Sequence, residues 1–150
     1  MRATDRLSSG AVSSAFSQSD TIVVADDSMT ILAMTSSRLE RAGYDIVTAT
    51  RGDDALRLVQ ETRPRLVLLD VEMPGLDGVE VTRRIRADEA LAGTFIVLLT
   101  SLSSASEMET GMEAGADAYL TKPADADELV RTLLGLIQRR GKPAKSGSKH

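Results

Sequence analysis

The hydrophobic positions of this chain switch repeatedly between two periods. Thr21–Ala25 is a short, β-branched apolar run that predicts a buried strand. A helical period follows from the capping residue Ser28 through about Ala42. It places Ile31, Leu32, Thr35 and Leu39 on one face, and Gly43 is its stop. Tyr44–Thr48 predicts a second strand. Gly52–Thr62 predicts a second helix with Ala55, Leu58 and Val59 inward, ended by Arg63-Pro64. Leu66–Leu69 is the third strand, closed by Asp70, and Gly78–Ala87 the third helix, with Val81 and Ile85 inward. Phe95–Leu99 is the fourth strand, Ser104–Ala114 a helix stopped by Gly115, and Ala118–Leu120 a short fifth strand. The last helix, Asp125–Arg139, carries Leu129, Leu133 and Ile137 as a single stripe.

Five strand–helix repeats whose strands are apolar on both faces predict an α/β fold. Its form is a doubly wound five-stranded parallel sheet with helices on both faces. In such sheets the chemistry collects beyond the carboxyl ends of the strands, where the strand order switches. The residues there are polar and specific. Asp26 and Asp27 follow the first strand, Asp70 the third, Thr100 and Ser101 the fourth, and Lys122-Pro123 the fifth.

Composition narrows the chemistry. Cysteine is absent and the only histidine is His150, so disulfides and zinc sites do not suit this chain. Aromatic residues make up 3% of it, which argues against a flavin or nucleobase held by stacking. No apolar run is long enough to span a bilayer, and the Ser-rich stretch from Ser8 to Asp20 lacks the apolar core of an export signal. A cytoplasmic protein without membrane contact is expected. Arg139, Arg140, Lys142, Lys145 and Lys149 cluster at the end with no acidic residue among them. The body is therefore more acidic than the overall net charge of −4, and direct nucleic-acid binding by it is not expected.

Three carboxylates held close together raise one another's pKa values, and a divalent cation relieves the repulsion. An all-oxygen site suits magnesium. An anion beside that metal needs a further cation, for which Lys122 is the natural donor. It is the only lysine among the first 141 residues, in a chain that otherwise uses arginine there. A compact ammonium acts as a point charge, where guanidinium is a planar fork.

Asp26-Asp27 after a strand, Asp70 within LVLLDVEMPGLDG, Thr100-Ser101 after FIVLL and Lys122-Pro123 within GADAYLTKP together resemble the receiver domain of bacterial response regulators. The resemblance covers about residues 20 to 139 and implies a flavodoxin-like sheet of order 2-1-3-4-5. Composition predicts a disordered extension at 1–20 and a basic flexible tail at 140–150, and the resemblance implies a receiver domain at 21–139. The resemblance further implies that Asp70 accepts a phosphoryl group from a histidine kinase or histidine phosphotransfer protein. Asp27 and Asp70 would ligate Mg2+ directly, Asp26 largely through water and Glu72 through its backbone carbonyl. Lys122 and Thr100 would hold the phosphoryl oxygens, and Tyr119 would turn inward with Thr100 as a switch.

A downstream protein would dock on the face formed by helix 4, strand 5 and helix 5. The expected role is a stand-alone signalling domain that catalyses only its own phosphorylation and slow dephosphorylation. Glu72 and Leu102 flank the phosphate in this family. Ala124 stands where many relatives have Phe. Tyr119 is alternatively ordinary sheet packing, and Met108 and Met112, spaced i, i+4, are expected in the core. The alternative functions are a phosphorylation-independent adaptor and a magnesium phosphohydrolase. Val71-Glu72 lacks the second aspartate that such hydrolases place two residues after the nucleophile.

Overall fold

The computed structural model describes residues 20–101, 105–122 and 126–140. Its strands are β1 (Thr21–Ala25), β2 (Asp45–Ala49), β3 (Leu66–Asp70), β4 (Phe95–Thr100) and β5 (Ala118–Thr121). Its helices are α1 (Met29–Arg41), α2 (Gly52–Thr62), α3 (Gly78–Arg86), α4 (Ala105–Ala114) and α5 (Ala126–Arg140), with a 3-10 turn at Glu89–Leu91. All strand pairs are parallel, in the order β2-β1-β3-β4-β5. The expected α/β architecture and strand order are therefore observed.

Strand periodicity divides the core in two. Val23, Ala25, Val67, Leu69, Ile96 and Leu98 face Ala55 and Val59 of α2 and Val81 and Ile85 of α3. The alternate residues Ile22, Val24, Leu66, Leu68, Val97 and Leu99 face Leu32 and Leu39 of α1 and the stripe Leu129, Leu133 and Ile137 of α5. Each valine, leucine or isoleucine side chain removed from water in this way contributes about 1.5–3 kcal/mol. The second layer is also tied by an ion pair between Arg38 and Asp127, which links α1 to α5.

Several boundaries differ by one residue from the sequence pattern, for a common reason. Asp70, Thr100 and Thr121 all belong to their strands, because the parallel ladder continues through the first polar residue after each apolar run. At the other end, β2 starts at Asp45 because the amide of Tyr44 donates to the Leu39 carbonyl and so belongs to the close of α1. Gly43 and Gly115 stop their helices with φ values of +103° and +113°. The 3-10 turn was not foreseen; it is capped by Asp88 and buries Leu91. The expected helix starts at Ser104 and Asp125, the positions Leu102 and Ala124, and residues 1–19 and 141–150 lie outside the described residues. One expectation fails outright: Met108 and Met112 are exposed, at 44% and 42%, because α4 turns the opposite side to the sheet.

Thr35 is fully buried in α1 with its hydroxyl oxygen unpartnered. Such a group retains most of its desolvation cost. Thr35→Val is expected to stabilise the domain by about 1 kcal/mol. In urea denaturation this appears as a higher midpoint with an unchanged m value.

Candidate functional site

The site is assembled where β1, β3, β4 and β5 end. Asp26 follows β1 directly, and its amide donates to the Ala49 carbonyl at 3.1 Å, continuing the ladder contact with β2. Its Oδ1 accepts the amide of Ser28 at 2.9 Å, which folds the chain into α1 and leaves Asp26 1% exposed. The helix cap itself is Ser28, whose hydroxyl oxygen accepts the Ile31 amide at 3.3 Å. Asp26 and Asp27 are thus not spent on capping. Asp27 is exposed at the mouth of the site.

Asp70 is the last residue of β3, opposite Leu99, and is 4% exposed. Its Oδ1 accepts the Glu72 amide at 3.2 Å. The loop beyond is held from both sides. The Val71 amide donates to Leu99 at 2.9 Å, the Gly78 amide to Val71 at 2.8 Å, and the Gly52 amide to Pro74 at 3.0 Å. Asp77 caps α3 through the Glu80 amide at 2.8 Å, in keeping with turn and helix-entry chemistry. Asp53 and Asp54, in the first turn of α2, pair with Arg51 and Arg57 and take no part in the site.

Lys122 enters from the fifth strand. Its amide donates to the Thr100 carbonyl at 2.6 Å, which fixes the backbone beside β4. Its Nζ lies 3.2 Å from Asp70 Oδ2 and 3.3 Å from Asp26 Oδ2. The contact with Asp70 is a hydrogen bond; the one with Asp26 is close but poorly aligned, leaving that oxygen without a true hydrogen-bond partner. One carboxylate oxygen from each of Asp26, Asp27 and Asp70 falls within 4.8 Å of the other two. A buried, under-bonded oxygen beside two further carboxylates is a donor set that fits a hard divalent cation, and magnesium above zinc. The Glu72 side chain is exposed and outside this cluster.

The electrostatics follow from the geometry. Burial, and then the charge of Asp26, push Asp70 up to about 6 against the opposing pull of Lys122. Burial would lower Lys122, but the charges of Asp26 and Asp70 outweigh it and hold the ammonium above its ordinary value. Thr100 closes β4, 2% exposed, one rung beyond the Asp70–Leu99 pair. Tyr119 lies in β5 opposite Leu98, half-buried against the α2–α3 layer. Its hydroxyl is buried beside Thr100 without a closed hydrogen bond, and burial raises the phenol above its usual value.

Asp26, Asp27, Asp70, Lys122 and Thr100 are thus all found at adjoining strand ends. Glu72 contributes backbone to the Asp70 turn. Sequence reasoning missed a cluster at the opposite end of the sheet. Arg86 donates from Nε to the Gly115 carbonyl at 2.8 Å and from Nη2 to Asp117 at 2.6 Å, while Asp117 also accepts the Ile96 amide at 2.8 Å. Only the Gly115 stop and the GAD sequence hinted at it.

Residues 22–134 match the family model described as the response regulator receiver domain. The transcriptional regulatory protein PrrA of Mycobacterium tuberculosis is 39% identical over 127 residues, covering 85% of this chain and 54% of PrrA. The alkaline phosphatase synthesis transcriptional regulatory protein PhoP of Bacillus subtilis is 36% identical over 79% of this chain and 48% of its own. This chain therefore spans about half the length of these curated relatives. Among solved structures, the chemotaxis response regulator CheY4 of Vibrio cholerae superposes with a TM-score of 0.73 at 32% identity. That match covers 80% of this chain and 99% of CheY4. No helix among the described residues is long and apolar enough to cross a membrane.

Two measurements test the electrostatics. An acid whose folded pKa is raised favours the protonated native state, so its contribution to stability is lost as pH rises from about 4 to about 6. In metal-free protein, Asp70→Asn should flatten that decline and raise stability near neutral pH by about 2 kcal/mol, read by urea denaturation against pH. Lys122→Met should move the Asp70 titration midpoint above about 6, followed by carboxyl carbon NMR.

Proposed function

The chain belongs to the response regulator receiver domain family, and from that membership we propose that Asp70 is its phospho-acceptor in two-component signalling. The observation that carries this reading is the single ammonium of Lys122 held against both Asp70 and Asp26, with Asp27 alongside. The donor is a histidine kinase or a histidine phosphotransfer protein. One Asp70 carboxylate oxygen bonds to phosphorus as the phosphorus–nitrogen bond of a phosphohistidine breaks. The imidazole leaves with the bonding pair and takes a proton from solvent.

The residues divide the work by charge and position. Asp26, Asp27, Asp70 and the backbone of Glu72 would hold Mg2+, which supplies charge neutralisation for the attacking carboxylate and the incoming phosphoryl oxygens. Lys122 pairs with a phosphoryl oxygen and thereby exchanges its present carboxylate partners for a more highly charged one. Thr100 donates its hydroxyl to another. The product adds about −1.5 to −2 of charge. That charge draws Thr100 inward and opens room for the Tyr119 hydroxyl, which already lies beside it. The protein catalyses only its own phosphorylation and slow dephosphorylation. The exposed Glu72 two residues after Asp70 supplies no acid or base poised over the site.

The output is a change in protein binding on the face of α4, β5 and α5, to which the exposed Met108 and Met112 belong. The receiver body itself makes no direct nucleic-acid contact. PrrA and PhoP are transcriptional regulators, about twice the matched length.

Intact mass after incubation with magnesium and acetyl phosphate tests the assignment. Wild-type protein should gain one phosphate. Asp70→Ala, or wild type with the metal chelated, should gain none, and Lys122→Ala should be slowed by at least about tenfold. An undiminished adduct on Asp70→Ala would remove the acceptor assignment.

A further inference from the structure

Helix α4 is attached to the sheet through very little. Of its ten residues only Gly111 is buried, while residues 105–110, Met112 and Glu113 are exposed. The backbone at Gly111 comes so close to the sheet that a side chain there requires its neighbours to shift. A Cβ there would lie 2.7 Å from Leu98 Cδ1 and 3.2 and 3.3 Å from Cδ2 and Cε2 of Tyr119. Leu98 and Tyr119 are neighbours across the β4–β5 ladder, so the helix rides on one rung of the sheet.

The other end of the same ring reaches the site. The Tyr119 hydroxyl is buried beside Thr100, without a closed hydrogen bond to hold it there. The ring therefore spans the distance from helix α4 to the residue at the end of β4. The far end of α4 is fixed independently, by the bonds from Arg86 to Gly115 and Asp117. Those bonds tie the turn after α4 to α3 and do not touch the rung beneath Gly111. Contact at Gly111 is thus where the Tyr119 ring packs against the helix, while Glu107, a turn earlier in α4, acts on its hydroxyl by charge.

We propose that Gly111 is a positioning residue that couples helix α4 to Tyr119: its missing side chain lets the ring lie inward between the helix and Thr100. A Cβ at this point presses first on the Leu98 side chain and then on the ring, so that the ring or the helix gives way with it. This inference rests on the switch reading of Tyr119 and specifies how the switch reaches the docking face. Its sign is opposite to intrinsic propensity. Alanine is ordinarily the better residue inside a helix, so a disturbance by Gly111→Ala comes from the contact and not from helix formation.

The chain contains two tyrosines, Tyr44 and Tyr119, so the full-length protein labelled with 3-fluorotyrosine gives two fluorine NMR lines. Tyr44, just before the opposite edge strand β2, serves as the internal reference. In wild type, the Tyr119 line should shift when magnesium and acetyl phosphate are added, while the Tyr44 line stays fixed. In Gly111→Ala, the Tyr119 line should already be displaced before the donor is added. Its phenol should titrate at lower pH than in wild type, as befits a less buried ring. The rate of Asp70 phosphorylation should remain within about twofold, because the atoms nearest Gly111 belong to Leu98 and Tyr119 and not to the carboxylates or Lys122.

The double variant Leu98→Val with Gly111→Ala removes the nearest clash and keeps the ring contact. It should retain the displaced Tyr119 line, and it carries the test if the single variant does not fold. A folded single or double variant whose Tyr119 line and titration match wild type would overturn the coupling. A displaced line in the variant, with a wild-type line that ignores phosphorylation, would keep the contact and remove its regulatory role, because the switch reading itself would have failed.

Discussion

Two carboxylates and one ammonium at the end of an otherwise apolar sheet are the constraint around which this molecule is arranged. Asp26 and Asp70 are almost fully buried, yet both face Lys122 at little more than 3 Å. Charges in such a place are costly unless they are paired and hydrogen-bonded. The surrounding backbone meets that demand with amides from Ser28 and Glu72. The compensation is incomplete: burial and like charge still raise Asp70, and one Asp26 oxygen is left under-bonded. That residue of unfavourable electrostatics is what a divalent cation, and then an anion beside it, would relieve.

The rest of the fold keeps these groups in place without help from long loops. β1 and β3 lie side by side in the centre of the sheet, with both faces covered, so Asp26 and Asp70 issue from its most rigid part. Asp70 and Thr100 are themselves rungs of the ladder. A group fixed by paired backbone on an apolar core needs little further ordering to react, and that is the larger part of phosphoryl-transfer catalysis. The more lightly packed part of the fold lies elsewhere, on the side where α4 meets the sheet at a glycine and is tied at its end by an arginine.

Much of this was legible in the amino-acid sequence, and the reasons for the exceptions are specific. Runs such as Leu66–Leu69 and Phe95–Leu99, punctuated by Asp70 and Thr100, announce buried parallel strands and their active ends together. The boundaries slipped by one residue because a parallel ladder does not stop where hydrophobicity stops. Met108 and Met112 were misplaced because i, i+4 spacing identifies a shared face without saying which way it points. The residue that does face inward, Gly111, carries no hydropathy signal. Close approach of backbone leaves no mark on a pattern built from side chains. The Arg86 cluster was invisible for a related reason, since half of its partners are carbonyls and amides.

The scarcity of lysine has a consequence in a different chemical currency. Across residues 20–140 the surface cations are guanidiniums, which resist acylation, and Lys122 supplies the single side-chain amine. That amine is partly screened, with its side chain 21% exposed, and is held as ammonium by Asp26 and Asp70. Seen by an electrophile in place of a signalling partner, the folded body therefore offers one nitrogen target, and that target is guarded by the carboxylates it serves. Within this body, labelling with an amine-directed reagent is confined to Lys122 and reports how tightly the two carboxylates hold it.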